Sequence, residues 1–515
     1  MVTRASSGPA FWAGVVAAAA ALAVLYAARS AAGVATPTEL LADRFTALLP
    51  LSVFSALLSA LEDAAKPTLN VALILGQLAA GGVGGVLFVR RVPSGPGLWL
   101  AGLVLALALW FMLGAVLMPL VDAGLFATAA VAGPGPTMTA LLGAALAYGL
   151  GLTGLTAWLR DAAVAPTRGE LDAAGGRGRR RVIVGLGAAI VLVGLGTIAW
   201  RVAGRVGGRA MGKIKGMPPE ITPNEDFYTV SKNFADPVVD GKTWRLEIKG
   251  QVNKPYQLTY DELRALESVE QVNTLECISN EVGGDLISNA VWRGVRLRDL
   301  IARAEPQEGI RKVVFKCADG YEDSIHFSKA LEPTTLLVHE MNGVPLPPEH
   351  GFPARMVIPD IYGMKNAKWV TEIRLLDTDF KGYWQQRGWS DEAVIKTMSR
   401  IDVPGPKRLE RGPTPVGGVA FAGARGVEKV EVSVDGGKTW HDASVKPPLS
   451  KMAWALWTYE WLPTALGTFR AVARAIDGQG RVQEETPADP LPDGKQGYHD
   501  VVVTFVEPEQ PARSS

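Results

Sequence analysis

Two cysteines and five histidines are few for a chain of 515 residues, and each scarcity excludes something. Two cysteines cannot build a disulfide framework; at most Cys277 could bridge Cys317, and a metal on Cys277 would exclude even that. The histidines (His326, His339, His350, His441 and His499) all lie outside the long apolar runs, so a membrane haem held by paired axial histidines is not expected. An excess of one charge is also missing: 52 basic side chains face 51 acidic ones, leaving +1 and no electrostatic footprint for nucleic acid. The length allows two to four domains.

The apolar material is concentrated in the first half. Residues 1–205 are rich in Ala, Gly, Leu and Val, and five stretches there are long and charge-poor enough to cross a bilayer as helices: 8–28, 68–89, 97–120, 137–159 and 182–200. The run 46–61 is apolar but short, stops at Glu62-Asp63, and reads as interfacial or re-entrant. The first run is long and has no clear cleavage site, so it reads as a span rather than a removed leader. Arg4, Arg90, Arg91, Arg160, Arg168, Arg177 and Arg179–Arg181 flank one side, against Arg29, Arg44 and Lys66 on the other. This bias predicts a multi-pass cell-membrane protein with its N-terminus inside and its C-terminal half extracytoplasmic, although Arg201, Arg205, Arg209, Lys213 and Lys215 run against it. Gly178-Arg179-Arg180-Arg181-Val182-Ile183 opens the last span and reads as an internal twin-arginine export signal; the plain alternative is a positive-inside anchor. The bundle itself reads as an anchor.

Residues 206–220 are basic, contain Gly and Pro, and read as a linker. From 221 to 402, strand-like runs such as Trp244-Arg-Leu-Glu-Ile-Lys, Lys312-Val-Val-Phe-Lys and Trp369-Val-Thr-Glu-Ile-Arg-Leu-Leu alternate with short helical ones, a mixed α+β pattern. From 403 to 508 the pattern changes. Val430, Val432 and Val434 alternate with Glu431 and Ser433, Asp435-Gly436-Gly437 turns the chain, and Trp440, Trp454, Trp457 and Trp461 supply large core side chains. This predicts an immunoglobulin-type β-sandwich, followed by a disordered tail at 509–515.

Two motifs carry chemistry. Cys277 sits in Thr274-Leu-Glu-Cys-Ile-Ser-Asn280, followed by Asn289-Ala-Val-Trp-Arg-Gly294. A thiolate is a soft ligand suited to a redox-active metal. Downstream, His350-Gly-Phe-Pro-Ala-Arg355 and Tyr362-Gly-Met-Lys-Asn-Ala-Lys-Trp369 cluster the side chains of an anion pocket. One soft ligand and one phosphate cradle together imply a metal carried by a phosphorylated organic cofactor. A lone cysteine is most often a small buried hydrophobe, and each cradle residue alone reads as a loop residue; the joint spacing outweighs both.

On these motifs, residues from Thr222 to Val503 resemble the sulfite-oxidase family of molybdopterin-dependent oxidoreductases, in its bacterial membrane-attached form. The resemblance implies a molybdenum–molybdopterin cofactor with Cys277 as the metal's thiolate ligand. His350, Arg355, Asn366, Ala367 and Lys368 would hold the pterin and its phosphate. Tyr228 and Thr229, with Asn224 and Glu225, fall on the entry motif Thr222-Pro-Asn-Glu-Asp-Phe-Tyr-Thr. A further cofactor contact falls on Cys317 or Asp319. The implied activity is two-electron oxygen-atom transfer on a small oxo substrate, with an electron-transfer partner. In the family the last module mediates dimerisation, so a homodimer is among the expectations.

Two departures bear on the substrate. The family's sulfite oxidases carry an Arg in the entry motif where this chain has roughly Val230-Ser231-Lys232. They carry a Tyr beside the metal where this chain has Asp379-Phe380-Lys381-Gly382, followed by Tyr383, which becomes the catalytic candidate there. Sulfite oxidation and sulfoxide reduction are therefore rival readings. Arg387 and Arg400 fit either a substrate mouth or surface ion pairs. A reading from another class is a membrane-anchored extracytoplasmic binding module with a degenerate cofactor pocket.

Overall fold

The structure is a computed structural model that describes residues 7–50, 53, 65–92, 97–161, 216–233 and 236–507. It divides into a helical unit (residues 1–207 with 231–238) and a sheet-rich unit (208–230 with 239–515). The fifth expected span at 182–200, the Arg179–Arg181 motif, most of 46–61 and of the linker, and the tail lie outside the described residues.

In the helical unit, four segments are long and apolar enough to cross a membrane: Ser7–Ala32, Thr68–Arg91, Gly97–Leu120 and Pro134–Arg160. Glycine lets two of them meet backbone to backbone. A Cβ on Gly14 would lie 2.2 Å from Gly81 O, and one on Gly85 would lie 2.5 Å from Ala10 O. The shorter helix Pro37–Leu48 starts at a capping box, in which Thr36 Oγ1 accepts from Glu39 N and Glu39 accepts from Thr36 N at 2.7 Å.

The sheet-rich unit begins with a five-stranded sheet in the order Tyr256–Thr259, Arg245–Gly250, Val370–Leu376, Lys312–Cys317 and Glu322–His326. A second sheet starts at the edge strand Val269–Glu276, continues through Ile287–Arg296 and Leu336–Met341, and carries the short strand Arg355–Val357 on the last of these. Cys277 immediately follows Val269–Glu276, whose last residue pairs with Ile287. The loop that joins the two strands is therefore 277–286. Trp292, fully buried, donates its indole N–H to Asn273 O at 3.0 Å and so welds the hairpin from within.

Two further sheets form the C-terminal β domain. One runs Met398–Val403, Thr414–Phe421, Ala455–Trp461, Ser444–Val445; the other runs Lys407–Glu410, His499–Val506, Gly467–Asp477, Val427–Ser433, His441–Asp442. Val416, Trp457 and Trp461 of the first share a core with Val430, Ala473 and Phe505 of the second. The strand Met398–Val403 pairs with Thr414–Phe421, so the domain starts ahead of residue 403. The turn at Asp435 forms because its carboxylate accepts the N–H groups of Lys438 and Thr439. Trp454 packs in the central core rather than in the C-terminal one, and Trp440 is half-buried under Arg474.

Candidate active site

Cys277 is held by a tight local network. Its N–H donates to Leu286 O at 2.9 Å, and its carbonyl accepts Asn280 N at 3.0 Å. Asn280 ties the loop twice more, accepting Leu286 N at 3.0 Å and donating to Glu276 Oε1 at 3.1 Å. The thiol lies 3.0 Å from the Ser279 hydroxyl and is 7% exposed. Burial pushes its pKa up; the contacts with Ser279 oppose this, and the neighbouring Glu276 adds to it. A bound cation would reverse that balance and favour the thiolate. Neither Cys277 nor Cys317 is in a disulfide, so the bridge between them is not formed.

Glu276 is the residue the sequence reading passed over. It is 5% exposed, burial lifts its carboxyl to about 7, and its Oε2 has no hydrogen-bond partner. Gly363 lies close to both Tyr228 and the Glu276 backbone: a Cβ on it would lie 2.6 Å from the Tyr228 hydroxyl and 3.2 Å from the Glu276 backbone carbonyl. Tyr228 stacks on Phe227, which meets Trp292 and His350 edge-on. Burial, then Cys277, push the Tyr228 hydroxyl pKa up. Thr229 is exposed.

The cradle lies at the other end. His350 Nε2 is 2.8 Å from Asn224 O, an acceptor, so that nitrogen carries the proton. Burial pushes the imidazole pKa down. Gly351 adopts φ +112°, and a Cβ there would lie 3.0 Å from Arg355 Cβ and 3.1 Å from Lys368 Cβ; only glycine lets the three segments converge. Arg355 is 5% exposed and crosses the Trp292 ring at 5.1 Å. It donates to His350 O at 3.0 Å and weakly to Asn366 O at 3.4 Å, while its Nε has no partner. Burial lowers its pKa to about 10. Lys368 Nζ donates to Glu349 O at 2.9 Å beside the Trp369 ring.

Asn366 and Ala367 act on the loop itself. Asn366 Oδ1 accepts Ile358 N at 2.6 Å while its Nδ2 donates to Ile361 O and Tyr362 O; Ala367 O accepts Met356 N at 2.8 Å. Lys365, which the sequence places among the anion-pocket side chains, instead pairs with Asp323 at 3.0 Å and Asp391 at 2.9 Å and anchors the same loop.

Cys317, Asp319 and Tyr383 belong to a second group around Tyr321. Cys317 N donates to Tyr321 O, Asp319 Oδ1 accepts Tyr321 N, and the Tyr383 ring stands 6.1 Å from that of Tyr321 with Arg387 3.6 Å above it. Arg400 is buried, not a surface residue, and reaches Gly284 O at 2.8 Å.

The geometry fits the implied cofactor in two respects. Arg355 is a buried cation with no carboxylate paired to it among the described residues, and an uncompensated buried charge costs several kcal/mol until an anion meets it. A phosphate meets that need. Cys277 offers a metal one soft donor, and among the described residues no three His, Cys, Asp or Glu gather as metal ligands.

Residues 233–384 match the oxidoreductase molybdopterin binding domain, and residues 394–501 match the Mo-co oxidoreductase dimerisation domain. The sulfite oxidase of Gallus gallus is 31% identical over 320 residues, covering 52% of this chain and 69% of that protein. This chain belongs to the sulfite-oxidase family of molybdopterin oxidoreductases. Within the family, mitochondrial sulfite oxidase of Homo sapiens is 31% identical over 326 residues, 53% of this chain, and this chain spans 60% of its length. The fold is shared with the sulfane dehydrogenase SoxCD of Paracoccus pantotrophus, at a TM-score of 0.50 and 23% identity over 55% of this chain and 81% of that one. Cys277, His350, Arg355, Lys368 and Tyr383 fall inside the first matched segment, Arg400 and His499 inside the second, and Tyr228 just ahead of the first.

Proposed function

We propose that this chain is a membrane-anchored molybdenum-cofactor oxidoreductase that transfers an oxygen atom to or from a small substrate with two electrons. One observation carries the reading: a buried guanidinium with no carboxylate paired to it among the described residues, Arg355, is linked to the Cys277 end of the hairpin by a chain of packed rings, Trp292, Phe227 and Tyr228. Cys277 would give the metal its thiolate. Arg355, His350 and Lys368 would hold the phosphate and pterin, with Asn366 and Ala367 setting the loop and Tyr228 covering the join. Cys317 or Asp319 remains the proposed further cofactor contact, and Tyr383 the proposed catalytic hydroxyl. Molybdenum in its pterin, when bound, supplies the two-electron exchange of an oxygen atom.

The substrate we favour is a neutral or zwitterionic oxide, such as a sulfoxide, over the sulfite dianion. Beside Cys277 the chain places a carboxyl (Glu276) and two hydroxyls (Ser279, Tyr228); the nearby Arg400 guanidinium is taken up by Gly284 O and Asp402. A dianion needs fixed cations there. Steady-state kinetics on one molybdenum-loaded sample decide: a sulfite efficiency in the ordinary enzyme range of about 10⁴–10⁸ M⁻¹s⁻¹ would overturn the preference.

The four apolar helices support membrane attachment. With 182–200 as a fifth span, the sheet-rich unit lies outside the cytoplasm, exported through the twin-arginine motif. Protease added to intact spheroplasts should then release a soluble fragment. We assign the C-terminal β domain to the immunoglobulin type, and a homodimer and an electron-transfer partner belong to the same proposal. The binding-module reading requires a degenerate pocket, which the intact Arg355 and Cys277 disfavour. Molybdenum and pterin content of the purified full chain separates the two: about one of each per chain is expected, and a metal-free, pterin-free preparation from a host that makes the cofactor rejects the oxidoreductase.

A further inference from the structure

The hairpin that carries Cys277 is gripped from outside its own domain. Its leading strand, Val269–Glu276, is the edge of its sheet, so one row of backbone N–H and C=O groups has no strand partner. The C-terminal domain takes that row. Thr274 N donates to Met452 O at 2.9 Å, Thr274 Oγ1 accepts Trp454 N at 2.9 Å, and the Ser450 hydroxyl donates to Val272 O at 2.6 Å. The Trp454 ring is packed in the central core, so this contact is anchored by an aromatic and not only by hydrogen bonds.

Past Cys277 the loop is caught a second time. Arg400 Nη1 donates to Gly284 O at 2.8 Å, and Arg400 is itself aimed by Asp402, 3.0 Å from its Nε. Lys495 pairs with Glu281 at 2.8 Å. The His499 ring lies so close to Gly283 that a Cβ there would be 2.3 Å from Nε2, and Gly283 has φ +79°. His499 Nδ1 accepts Ile401 N at 2.9 Å, so it carries no proton and the ring is fixed as the Nε2–H tautomer. Every one of these groups belongs to residues 400–499, inside the second matched segment.

A metal ligand must be held to within about 0.5 Å, and a loop turning on Gly283-Gly284 has little stiffness of its own. We propose that the C-terminal β domain is a working part of the metal site: it positions Cys277 through a two-sided clamp, Ser450–Trp454 on the strand before it and Arg400, Lys495 and His499 on the loop after it. This rests on Cys277 being the metal's ligand, and it gives the domain a role that dimerisation does not require. Arg400 and His499 are positioning residues, acting through the 278–286 backbone.

The test uses the full chain purified with its cofactor, as parent, Arg400→Met, Arg400→Lys, His499→Ala and Ser450→Ala. Three readouts are taken: molybdenum per chain, hydrogen exchange of amides 278–286, and the electron paramagnetic resonance of the Mo(V) state. Arg400→Met and His499→Ala should keep parental molybdenum, speed exchange in 278–286 about tenfold, and shift the Mo(V) signal, because the first removes a charge-assisted hydrogen bond to Gly284 O and the second removes the ring packed against Gly283. Arg400→Lys should return both readouts most of the way, and Ser450→Ala should give a smaller effect of the same kind. Unchanged exchange in Arg400→Met and His499→Ala overturns the clamp. So does faster exchange with a Mo(V) signal identical to the parent, since the loop would then be loose without moving the ligand. If Arg400→Met fails to fold, His499→Ala and Ser450→Ala carry the same decision. Absence of molybdenum in every sample, parent included, instead removes the cofactor reading, and the exchange rates still decide whether the clamp exists.

Discussion

The two ends of the site differ in charge and in construction. The cradle is cationic and local: His350, Gly351, Arg355 and Lys368 come from one stretch of chain, and Arg355 is buried with no carboxylate paired to it among the described residues. The thiol end carries a carboxyl and hydroxyls, and its loop is fixed by residues more than a hundred positions away, Arg400 and His499. In the proposed reading one end holds the cofactor's anion, and the other meets the substrate with a carboxyl and hydroxyls. A charge held by its own segment is a binding device; a thiol held by a neighbouring domain is a geometric one.

The largest effect expected is at Cys277. Cys277→Ala should abolish turnover while pterin stays bound, because the cradle is untouched; activity equal to the parent's would remove the thiolate from the mechanism.

Arg355→Met comes next. Losing a charge-assisted contact worth roughly 1.5–3 kcal/mol should cut pterin content about tenfold or more. The cofactor-free chain should melt no lower than the parent, since removing an unpaired buried charge relieves its desolvation. A marked drop in the melting temperature of the cofactor-free variant would show that Arg355 is structural.

Glu276→Gln probes the opposite end. Removing a carboxyl beside the thiol should lower the KM for sulfite severalfold and leave that for a sulfoxide nearly unchanged. Equal shifts for both substrates would mean that the charge contrast between the ends does not reach the substrate.

The smallest effect concerns pH. Burial holds His350 below its usual pKa, so the unfolded chain takes up a proton before the folded one does. This contribution is complete above about pH 6.5 and is lost as pH falls through the folded value. Melting temperature should therefore drop below pH 6.5, and His350→Gln should flatten part of that drop. A steeper acid loss in His350→Gln would contradict it.

The pattern of legibility follows from the same contrast. The Cys277 motif and the His350–Lys368 spacing are legible because each lies in one continuous stretch of chain, and the Asp435-Gly436-Gly437 hairpin for the same reason. Glu276 stood in plain view beside Cys277, but a carboxylate in sequence is normally a solvated one, and only the folded chain makes it a buried group. Arg400 was left between a mouth and a surface ion pair, and burial resolves that in favour of neither. Trp454 read as sandwich core and instead plugs the central domain.

By itself, then, the sequence determined the apolar first half and the family, and it suggested the soft ligand and the anion cradle proposed above, because these rest on composition and on short-range spacing. The tertiary structure alone decided which backbone groups of an edge strand find their partners in another domain, which cation is left without an anion, and which side chains close over the thiol. Those outcomes depend on contacts between residues up to 180 positions apart, such as Trp454 with Thr274, and no local pattern encodes them.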